Sequence, residues 1–330
     1  MKIMVTGATG FIGNTLIQKL CNDNNIIHVL CRNTSDISRL KHPCIKIFKG
    51  DILDKSSLEE TMHGCETVYH LAAYARNWAK DPGIYFKYNV HSLKNIFDCA
   101  IKLKIKRVLV TSSCVVFGPS NGSSVNENSL RSIPPFTEYE SSKIEAEKLF
   151  EEYLAAGLDI VNVYPTRVFG PGKLTENNGV TMMIDLYLRG KMRFVLGNGD
   201  ASGNYSFVND IADGMVNTMK YGKTGERYIL GGENLSFNKL FSLVAEKSGK
   251  KYRMFNVSES LVLLFSNLEE YRAKIFNHYP LITPGWVKTF CFDWNFSSNK
   301  AVNEINYKIT PFEKALETTL SWLSSLERRI

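Results

Sequence analysis

Thr6-Gly7-Ala8-Thr9-Gly10-Phe11-Ile12-Gly13 decides the fold, because it joins a short apolar run to a helical pattern near the start of the chain. The run at residues 3–6 predicts a strand, and residues 11–20 predict a helix with its apolar side chains on one face. Gly7 permits a tight turn, Gly10 lets a ligand approach the backbone, and Gly13 lets helix and strand pack closely. The segment therefore predicts a turn that places the pyrophosphate of a dinucleotide at a helix N-terminus.

The following part of the chain repeats this alternation of short apolar runs and helical patterns. Strictly alternating strands and helices indicate an α/β fold with a doubly wound parallel sheet and right-handed crossovers. Asp54 is expected to cap the second helix, which ends at Gly64. Further strands are predicted at residues 26–31, 45–48, 67–71, 107–111 and 160–164, and further helices at residues 85–104 and 138–156.

The pattern changes after Pro165, where glycine and proline become frequent, and the chain from about Asn234 onward is richer in aromatic residues. We expect a dinucleotide-binding domain over residues 1–165, with parts of 205–232 returning to it. A smaller α/β substrate-binding lobe is expected from residues 166–204 and 233–330. The apolar run at residues 261–265 is too short to span a membrane and predicts a buried helix.

Tyr139 and Lys143 lie four residues apart at the start of a predicted helix, which puts them on one face. A phenol has a pKa near 10, and a nearby ammonium together with the helix N-terminus is expected to lower it. Ser113 follows a strand at the carboxyl edge of the predicted sheet, where it can donate a hydrogen bond to a carbonyl oxygen. Each feature alone also fits a surface helix or a strand end. Together they favour a group that moves a proton to or from a carbonyl.

The end of the second predicted strand bears on the choice of dinucleotide. An acidic residue commonly binds the 2′-hydroxyl of the adenosine ribose there, whereas this chain has Cys31-Arg32-Asn33. Arg32 can pair with a 2′-phosphate, so NADP(H) is favoured. NAD(H) stays open, because Arg32 can equally be solvated and Asp36 lies four residues further on.

Three other segments are expected near the dinucleotide. Asp51-Ile52, after the third strand, is placed to bracket the adenine. Leu71-Ala72-Ala73 offers small side chains where the chain must pass close to the cofactor. Asn89 lies inside a predicted helix, where asparagine is unfavourable, so it either binds an inward water or carbonyl or is simply exposed.

These residues together resemble the extended short-chain dehydrogenase/reductase family, in the family's order and over nearly the whole chain. The resemblance implies a Rossmann domain, a C-terminal substrate lobe and a Ser–Tyr–Lys catalytic group carried by Ser113, Tyr139 and Lys143. The matches include His70-Leu71-Ala72-Ala73, Thr111-Ser112-Ser113 and Pro165 to Gly172. The predicted cofactor contacts are Gly7, Thr9, Gly10, Phe11, Ile12, Gly13, Arg32, Asp51, Ile52, Leu71, Ala72, Ala73, Asn89, Thr111, Tyr139, Lys143, Pro165 and Val168.

Within the family, residues 29–35 and 225–235 look most like the dihydroflavonol-4-reductase-like branch, which includes 3β-hydroxysteroid dehydrogenase relatives and bacterial hopanoid-associated sugar epimerases. Nucleotide-sugar epimerases and dehydratases usually have an asparagine where this chain has Arg167. They also tend to have an arginine a few residues before the segment Val208-Asn209-Asp210, and this chain lacks it. A substrate diphosphate would be poorly neutralised, although Arg167, Arg189 or Arg193 could substitute.

The favoured function is therefore NADP(H)-dependent reduction of a ketone or aldehyde, or the reverse oxidation. The alternatives are a nucleotide-sugar epimerase or dehydratase with tightly bound NAD, and a dinucleotide-binding sensor or scaffold without turnover. Such non-catalytic relatives tend to lose the tyrosine or the lysine, and both are present here. An apolar or aromatic substrate is suggested by the aromatic residues of the C-terminal lobe, which are Tyr252, Phe255, Tyr271, Phe276, Tyr279, Trp286, Phe290 and Trp294.

Composition mainly excludes other classes. The net charge of +7 is spread along the 330 residues rather than gathered in an arm, so we expect no nucleic-acid partner. No signal peptide or membrane span is recognisable, and a cytoplasmic protein is expected. The seven cysteines form no C-x-x-C pair and the six histidines no H-x-x-x-H pattern, so no metal site is expected. The family resemblance makes a homodimer possible.

Overall fold

The computed structural model describes residues 1–21 and 24–327. The strands in this part of the chain are β1 (Lys2–Thr6), β2 (Ile26–Cys31), β3 (Ile45–Lys49), β4 (Thr67–His70), β5 (Arg107–Thr111), β6 (Ile160–Pro165), β7 (Arg167–Phe169), β8 (Phe194–Leu196), β9 (Ser202–Phe207), β10 (Arg227–Leu230), β11 (Glu233–Ser236) and β12 (Phe255–Val257).

The helices of the same part are α1 (Phe11–Cys21), α2 (Lys55–Met62), α3 (Gly83–Phe86), α4 (Ser92–Lys102), α5 (Glu138–Ala155), α6 (Gly179–Leu188), α7 (Val208–Tyr221), α8 (Phe237–Ser248), α9 (Glu259–Phe276), α10 (Pro284–Phe290), α11 (Asn299–Ile305) and α12 (Phe312–Glu327). The predicted cap of α2 is confirmed, because the Asp54 carboxylate accepts hydrogen bonds from the backbone of Ser56 and Ser57.

The central sheet has seven strands in the order β10-β6-β5-β4-β1-β2-β3, and every neighbouring pair is parallel. This confirms the predicted doubly wound α/β fold. The chain moves outward in one direction through β1, β2 and β3, and in the other through β4, β5 and β6. The two directions part between β1 and β4, where the carboxyl ends of the strands open a crevice that binds ligands in such sheets.

Helices cover both faces of this sheet. On one face, Leu16 and Ile17 of α1 pack with Ile211 and Met215 of α7. On the other face, α2, α4 and α5 bury apolar side chains against the strands, including Leu58, Phe97 and Phe150. A sheet covered on both faces buries its strands throughout, and the residues of β6 are accordingly all buried.

The remaining strands form two small sheets, β11-β9-β7 and β12-β8. Their core also contains side chains of α6, α8 and α12, such as Ile184, Leu240 and Leu316. Between the segments of this smaller lobe the chain returns to the central sheet through α7 and β10. The residue limits of the two domains stay a prediction.

The helix predicted over residues 85–104 is interrupted. A π-helical turn at Lys87–His91 separates α3 from α4 and widens the helix by one residue at Asn89. Such turns occur frequently at functional sites. Helical periodicity in the sequence does not reveal this change of hydrogen-bonding pattern.

The expectation that residues 261–265 form a buried helix was wrong about burial. Leu261, Leu264 and Leu268 of α9 are exposed by 63%, 60% and 57%. The buried side of α9 carries Ser266, Glu269 and Ala273, none of which belongs to the apolar run. Apolar residues alone did not indicate which face packs. Within the described residues, no helix is long and apolar enough to cross a membrane.

Candidate active site

The glycine turn after β1 leaves no room for side chains. Gly7 has a φ of +75°, and a Cβ there would lie 2.7 Å from the backbone nitrogen of Ala72. A Cβ at Gly13 would lie 2.1 Å from the Gly7 carbonyl oxygen. Both positions therefore require glycine, and the first turn of α1 faces the crevice with backbone N–H groups that have no acceptor within the helix. These features fit a dinucleotide pyrophosphate at this turn.

The ends of β1 and β4 are fixed to each other beside this turn. Thr6 Oγ1 lies 2.8 Å from His70 Nδ1 and accepts a hydrogen bond from the Ala72 backbone at 3.2 Å. Burial lowers the pKa of His70 to about 3, so the imidazole is neutral at physiological pH. His70 thus links the ends of β1 and β4, between which the strand order reverses, without contributing charge.

A cavity of about 750 Å³ lies between the glycine turn, the carboxyl edge of the sheet and the smaller lobe. Thr9, Arg32, Asp51, Ile52, Ala72 and Asn89 are outside its lining, although the sequence predicted them as cofactor contacts. The predicted residues that do line it are Gly7, Gly10, Phe11, Ile12, Gly13, Leu71, Ala73, Thr111, Ser113, Tyr139, Lys143, Pro165 and Val168.

Ser113, Tyr139 and Lys143 meet in this cavity. Thr137 caps α5 by accepting a hydrogen bond from the Glu140 backbone at 3.2 Å, which places Tyr139 in the first turn of the helix. One turn later, the Lys143 ammonium donates a hydrogen bond to the Thr111 carbonyl oxygen at 3.0 Å. Ser113 lies just beyond the end of β5, and its hydroxyl lies close enough to the Tyr139 phenol to favour a lower pKa of that group.

The pKa of Tyr139 differs from the sequence-based expectation. Burial raises it to about 12, and the neighbouring Ser113 hydroxyl opposes this only in part. The expected lowering by Lys143 was wrong for this arrangement, because the ammonium is directed to the Thr111 carbonyl and burial of the phenol dominates. Tyr139 is therefore a neutral proton donor at physiological pH, which suits an acid better than a base.

Lys143 is buried, and burial lowers its pKa to about 8, while the charge of Glu147 raises it in opposition. Glu147 accepts hydrogen bonds of 2.7 Å from both the Ser112 hydroxyl and the Tyr164 hydroxyl. Sequence reasoning missed Glu147. Its position one helical turn after Lys143 is the signal that could have indicated it.

A buried ion pair joins the segment after Ser113 to the start of α5. Arg131 Nη2 lies 2.6 Å from Glu140 Oε2, and Arg131 also donates to the Val115 carbonyl. Glu140 in turn accepts from the Phe136 backbone at 3.0 Å. These contacts hold Ser113 and Tyr139 at a fixed separation although 25 intervening residues form mostly irregular chain.

Asn89 braces the site instead of lining the cavity. Its Oδ1 accepts from the Tyr74 backbone at 2.8 Å, and its Nδ2 donates to the Tyr74 carbonyl and, at 2.8 Å, to the Ser142 hydroxyl. The π-helical turn aims this amide inward. It thereby links the chain after β4 to α5 next to Lys143.

Arg32 is exposed at the end of β2 and has no ion-pair partner among the residues that the structure describes. Asp36 is already engaged, because it accepts from Ser38 and pairs with Lys173 at 3.4 Å. The contact with Ser38 and, to a smaller extent, the contact with Lys173 lower the pKa of Asp36 to about 2. Asp51 accepts hydrogen bonds from the Leu53 backbone and the Tyr88 hydroxyl.

The substrate side of the cavity contains half of the aromatic residues that the sequence singled out, namely Tyr279, Trp286, Phe290 and Trp294. The other four lie elsewhere. Tyr271 and Phe276 are exposed on α9, Tyr252 packs on Tyr187, and Phe255 packs on Phe194.

Of the three arginines considered as substitutes, only Arg167 lines the cavity. Arg189 pairs with Asp185 at 3.0 Å on the surface. Arg193 stacks on the Tyr252 ring at 4.7 Å.

A separate cluster of soft donor atoms lies near the opposite edge of the sheet. The donor atoms of Cys21, His42 and Cys44 are all within 4.8 Å of one another. Sequence reasoning, which expected no metal site, missed this grouping because the residues come from the end of α1 and the segment before β3. The cluster lies beside the amino end of β3, whereas the catalytic residues follow carboxyl ends.

A model of the NAD dependent epimerase/dehydratase family matches residues 3–231. A curated relative from Synechocystis sp., named "Putative dihydroflavonol 4-reductase", is 28% identical over 327 residues, which cover 97% of this chain and 94% of the relative. The crystal structure of gox2253 superposes with a TM-score of 0.83 at 27% identity, covering 99% of this chain and 98% of that one.

A second solved structure is UDP-glucuronic acid 4-epimerase from Bacillus cereus in complex with UDP-glucuronic acid and NAD. It has a TM-score of 0.79 at 23% identity and covers 99% of this chain and 100% of that chain. Proteins similar to this chain thus carry the names of reductases and of nucleotide-sugar epimerases on one fold.

Proposed function

The chain belongs to the NAD dependent epimerase/dehydratase family of extended short-chain dehydrogenases/reductases, and on this premise we propose that it is an NADP(H)-dependent oxidoreductase interconverting a ketone or aldehyde with the corresponding alcohol. The observation that carries the proposal is the meeting of Ser113, Tyr139 and Lys143 in one cavity, with Tyr139 neutral. A neutral phenol beside a second hydroxyl is suited to hold and protonate a carbonyl oxygen.

In the proposed reduction, the hydroxyls of Ser113 and Tyr139 donate hydrogen bonds to the substrate oxygen. The nicotinamide, when bound, supplies hydride to the carbonyl carbon. Tyr139 gives its proton to the oxygen as negative charge develops there, and the Lys143 ammonium, which lines the same cavity, places a positive charge near the reacting group. Thr111 orients that ammonium through its carbonyl oxygen.

NADP(H) is the favoured dinucleotide. Arg32 supports this preference, because it is exposed at the end of β2 while Asp36, the acidic residue nearest along the chain, is held by Ser38 and Lys173. A cation free of protein partners is suited to a 2′-phosphate. An NAD(H)-dependent enzyme remains an outcome of the test.

The proposal is tested by following NADPH consumption by the purified protein with a panel of aromatic and aliphatic ketones and aldehydes. We expect turnover with at least one carbonyl compound and free exchange of added NADPH. Copurified NAD that does not exchange, together with conversion of a UDP-sugar, would show the epimerase alternative to be correct. Tight NADPH binding without any turnover would support the sensor or scaffold.

A further inference from the structure

Arg167 is a cation without an anionic partner in the substrate half of the cavity. Its guanidinium carbon lies 4.9 Å from the ring centre of Phe290, 5.6 Å from that of Phe237 and 5.9 Å from that of Tyr205. No carboxylate of the described residues lies within ion-pair distance of it. We propose that Arg167 binds a carboxylate of the substrate, so that the enzyme acts on an oxo acid or the corresponding hydroxy acid. The identity of the reacting group in this inference rests on the proposed carbonyl chemistry.

The hydrogen-bonding capacity of Arg167 is largely unused. Its Nη2 is buried and has no partner among the described residues, and Nη1 makes only a long hydrogen bond of 3.5 Å to the Tyr205 hydroxyl. A guanidinium has five N–H donors, and ring faces compensate its charge without accepting hydrogen bonds in good geometry. Arg167 as a whole is only half-buried, but a donor atom that is shielded from solvent and left without an acceptor is unfavourable, so a ligand that accepts from Nη2 would complete it.

The neighbouring strand is shaped around this side chain. Gly203 of β9 lies beside Arg167, and a Cβ at that position would be 2.5 Å from Arg167 Nη1. Any other residue at position 203 would displace the guanidinium. Gly203 and the three rings therefore form a slot that keeps the cation at one place in the wall of the cavity.

This slot lies close to the catalytic group. Arg167 comes two residues after β6, which pairs with β5, and β5 leads directly to Ser113. The charge of Arg167 also acts on the thiol of Cys114, where it opposes the rise in pKa that burial causes. One small molecule can therefore present a carbonyl to Ser113 and Tyr139 and a carboxylate to Arg167.

The number of available cations favours a carboxylate over a diphosphate. The basic residues that line the cavity are Arg76, Lys143 and Arg167. Arg76 is exposed, and Lys143 is engaged with the Thr111 carbonyl. Arg167 is the guanidinium that the rings and Gly203 fix in the cavity wall, and a single fork of this kind matches the charge and the two-oxygen geometry of a carboxylate better than the larger charge of a diphosphate.

The test uses binding and therefore does not depend on turnover. Isothermal titration of the full chain with NADP⁺ present compares phenylacetate with phenylacetamide, which differ in charge but hardly in shape. We expect the wild type to prefer the acid, and Arg167→Met to weaken binding of the acid by about 10- to 100-fold, with the amide unchanged. Arg167→Lys should restore part of the preference, because it retains the charge and loses the planar fork.

Arg189→Met is the matched control, because Arg189 pairs with Asp185 outside the cavity; it should bind both probes as the wild type does. The melting temperature of Arg167→Met should not fall, since an unpaired cation is removed. Equal affinity of the wild type for acid and amide, or equal losses for both in Arg167→Met, would overturn the inference. If the acid binds through Arg167 but no carbonyl compound is reduced, the proposed function fails and the carboxylate site stands.

Discussion

Lys143 and Glu147 lie one turn apart on α5, both shielded from solvent, and the charge of the carboxylate opposes the loss of the lysine's proton. The side chain of Glu147 is 12% exposed, and Lys143 is 6% exposed. Burial lowers the pKa of Lys143 to about 8, and without Glu147 the pKa would fall further. Glu147 thus sets the pH range in which Lys143 is an ammonium.

This pairing predicts the pH dependence of turnover. Since the reaction needs the ammonium of Lys143, the kcat/KM should fall as the pH rises through about 8. Glu147→Gln retains the shape and removes the charge, so the falling limb should move to lower pH. The pKa of Tyr139, about 12, keeps the phenol protonated throughout this range.

The measurement is kcat/KM for the wild type and the variant between pH 6 and 10, with roughly half-unit steps chosen to resolve a shift of this kind. Glu145→Gln is the control, because Glu145 is on the same helix but pairs with Lys148 on the surface. If the falling limb of the pH profile moves equally in both variants, or in neither, Glu147 does not act on Lys143.

The role of Tyr139 predicts a separation of chemistry from binding. Tyr139→Phe removes the proton donor while the ring keeps its packing, so turnover should fall by roughly 100- to 10,000-fold. The affinity for NADPH, measured by fluorescence titration, should stay within about twofold, because the phenol hydroxyl faces the substrate oxygen in the proposed reaction. Turnover that survives the substitution would show that another group protonates the substrate.

The position of Arg32 predicts the preference between the two dinucleotides. Arg32→Asp should lower kcat/KM for NADPH and raise it for NADH, since a carboxylate repels a 2′-phosphate and accepts from a 2′-hydroxyl. The ratio of the two values is the quantity to measure. Arg253→Asp makes the same charge change at an exposed site in the smaller lobe and should leave the ratio as it is. An unchanged ratio in Arg32→Asp would mean that Arg32 does not contact the phosphate.

The strands and helices of the central sheet could be predicted from the sequence because their signals are local. Glycines at fixed positions after a strand, apolar runs and a capping aspartate each act within a few residues. The exposure of α9 could not be predicted, because Leu261 and Leu264 look the same in sequence whether they face a core or solvent. The π-helical turn at Asn89 could not be predicted for a related reason, because one extra residue in a helix does not change the composition of that helix.

For the site, residue identity was easier to predict than electrostatics. The types and spacing of Ser113, Tyr139 and Lys143 pointed to one chemistry. The direction of the Tyr139 pKa shift depended on how deeply the phenol is buried and on where the Lys143 ammonium points, and the Thr111 carbonyl sets the second of these. Long-range packing likewise brings Gly203 to Arg167, across a sequence distance that no pattern spans.

The closest backbone approach in the glycine turn gives the sharpest structural prediction. Gly13→Ala would place a methyl group 2.1 Å from the Gly7 carbonyl oxygen, so the turn and α1 must move apart. We expect a lower melting temperature and at least about a tenfold loss of NADPH affinity, because the N–H groups of the first helical turn leave their positions.

Gly179→Ala makes the same chemical change at the start of α6, where a Cβ meets no atom within 4 Å. That variant should keep the affinity and be as stable as the wild type or slightly more so, since alanine restricts the unfolded chain. Thermal unfolding and a fluorescence titration of both variants decide the matter: if Gly13→Ala binds NADPH as Gly179→Ala does, the dinucleotide is not held at this turn.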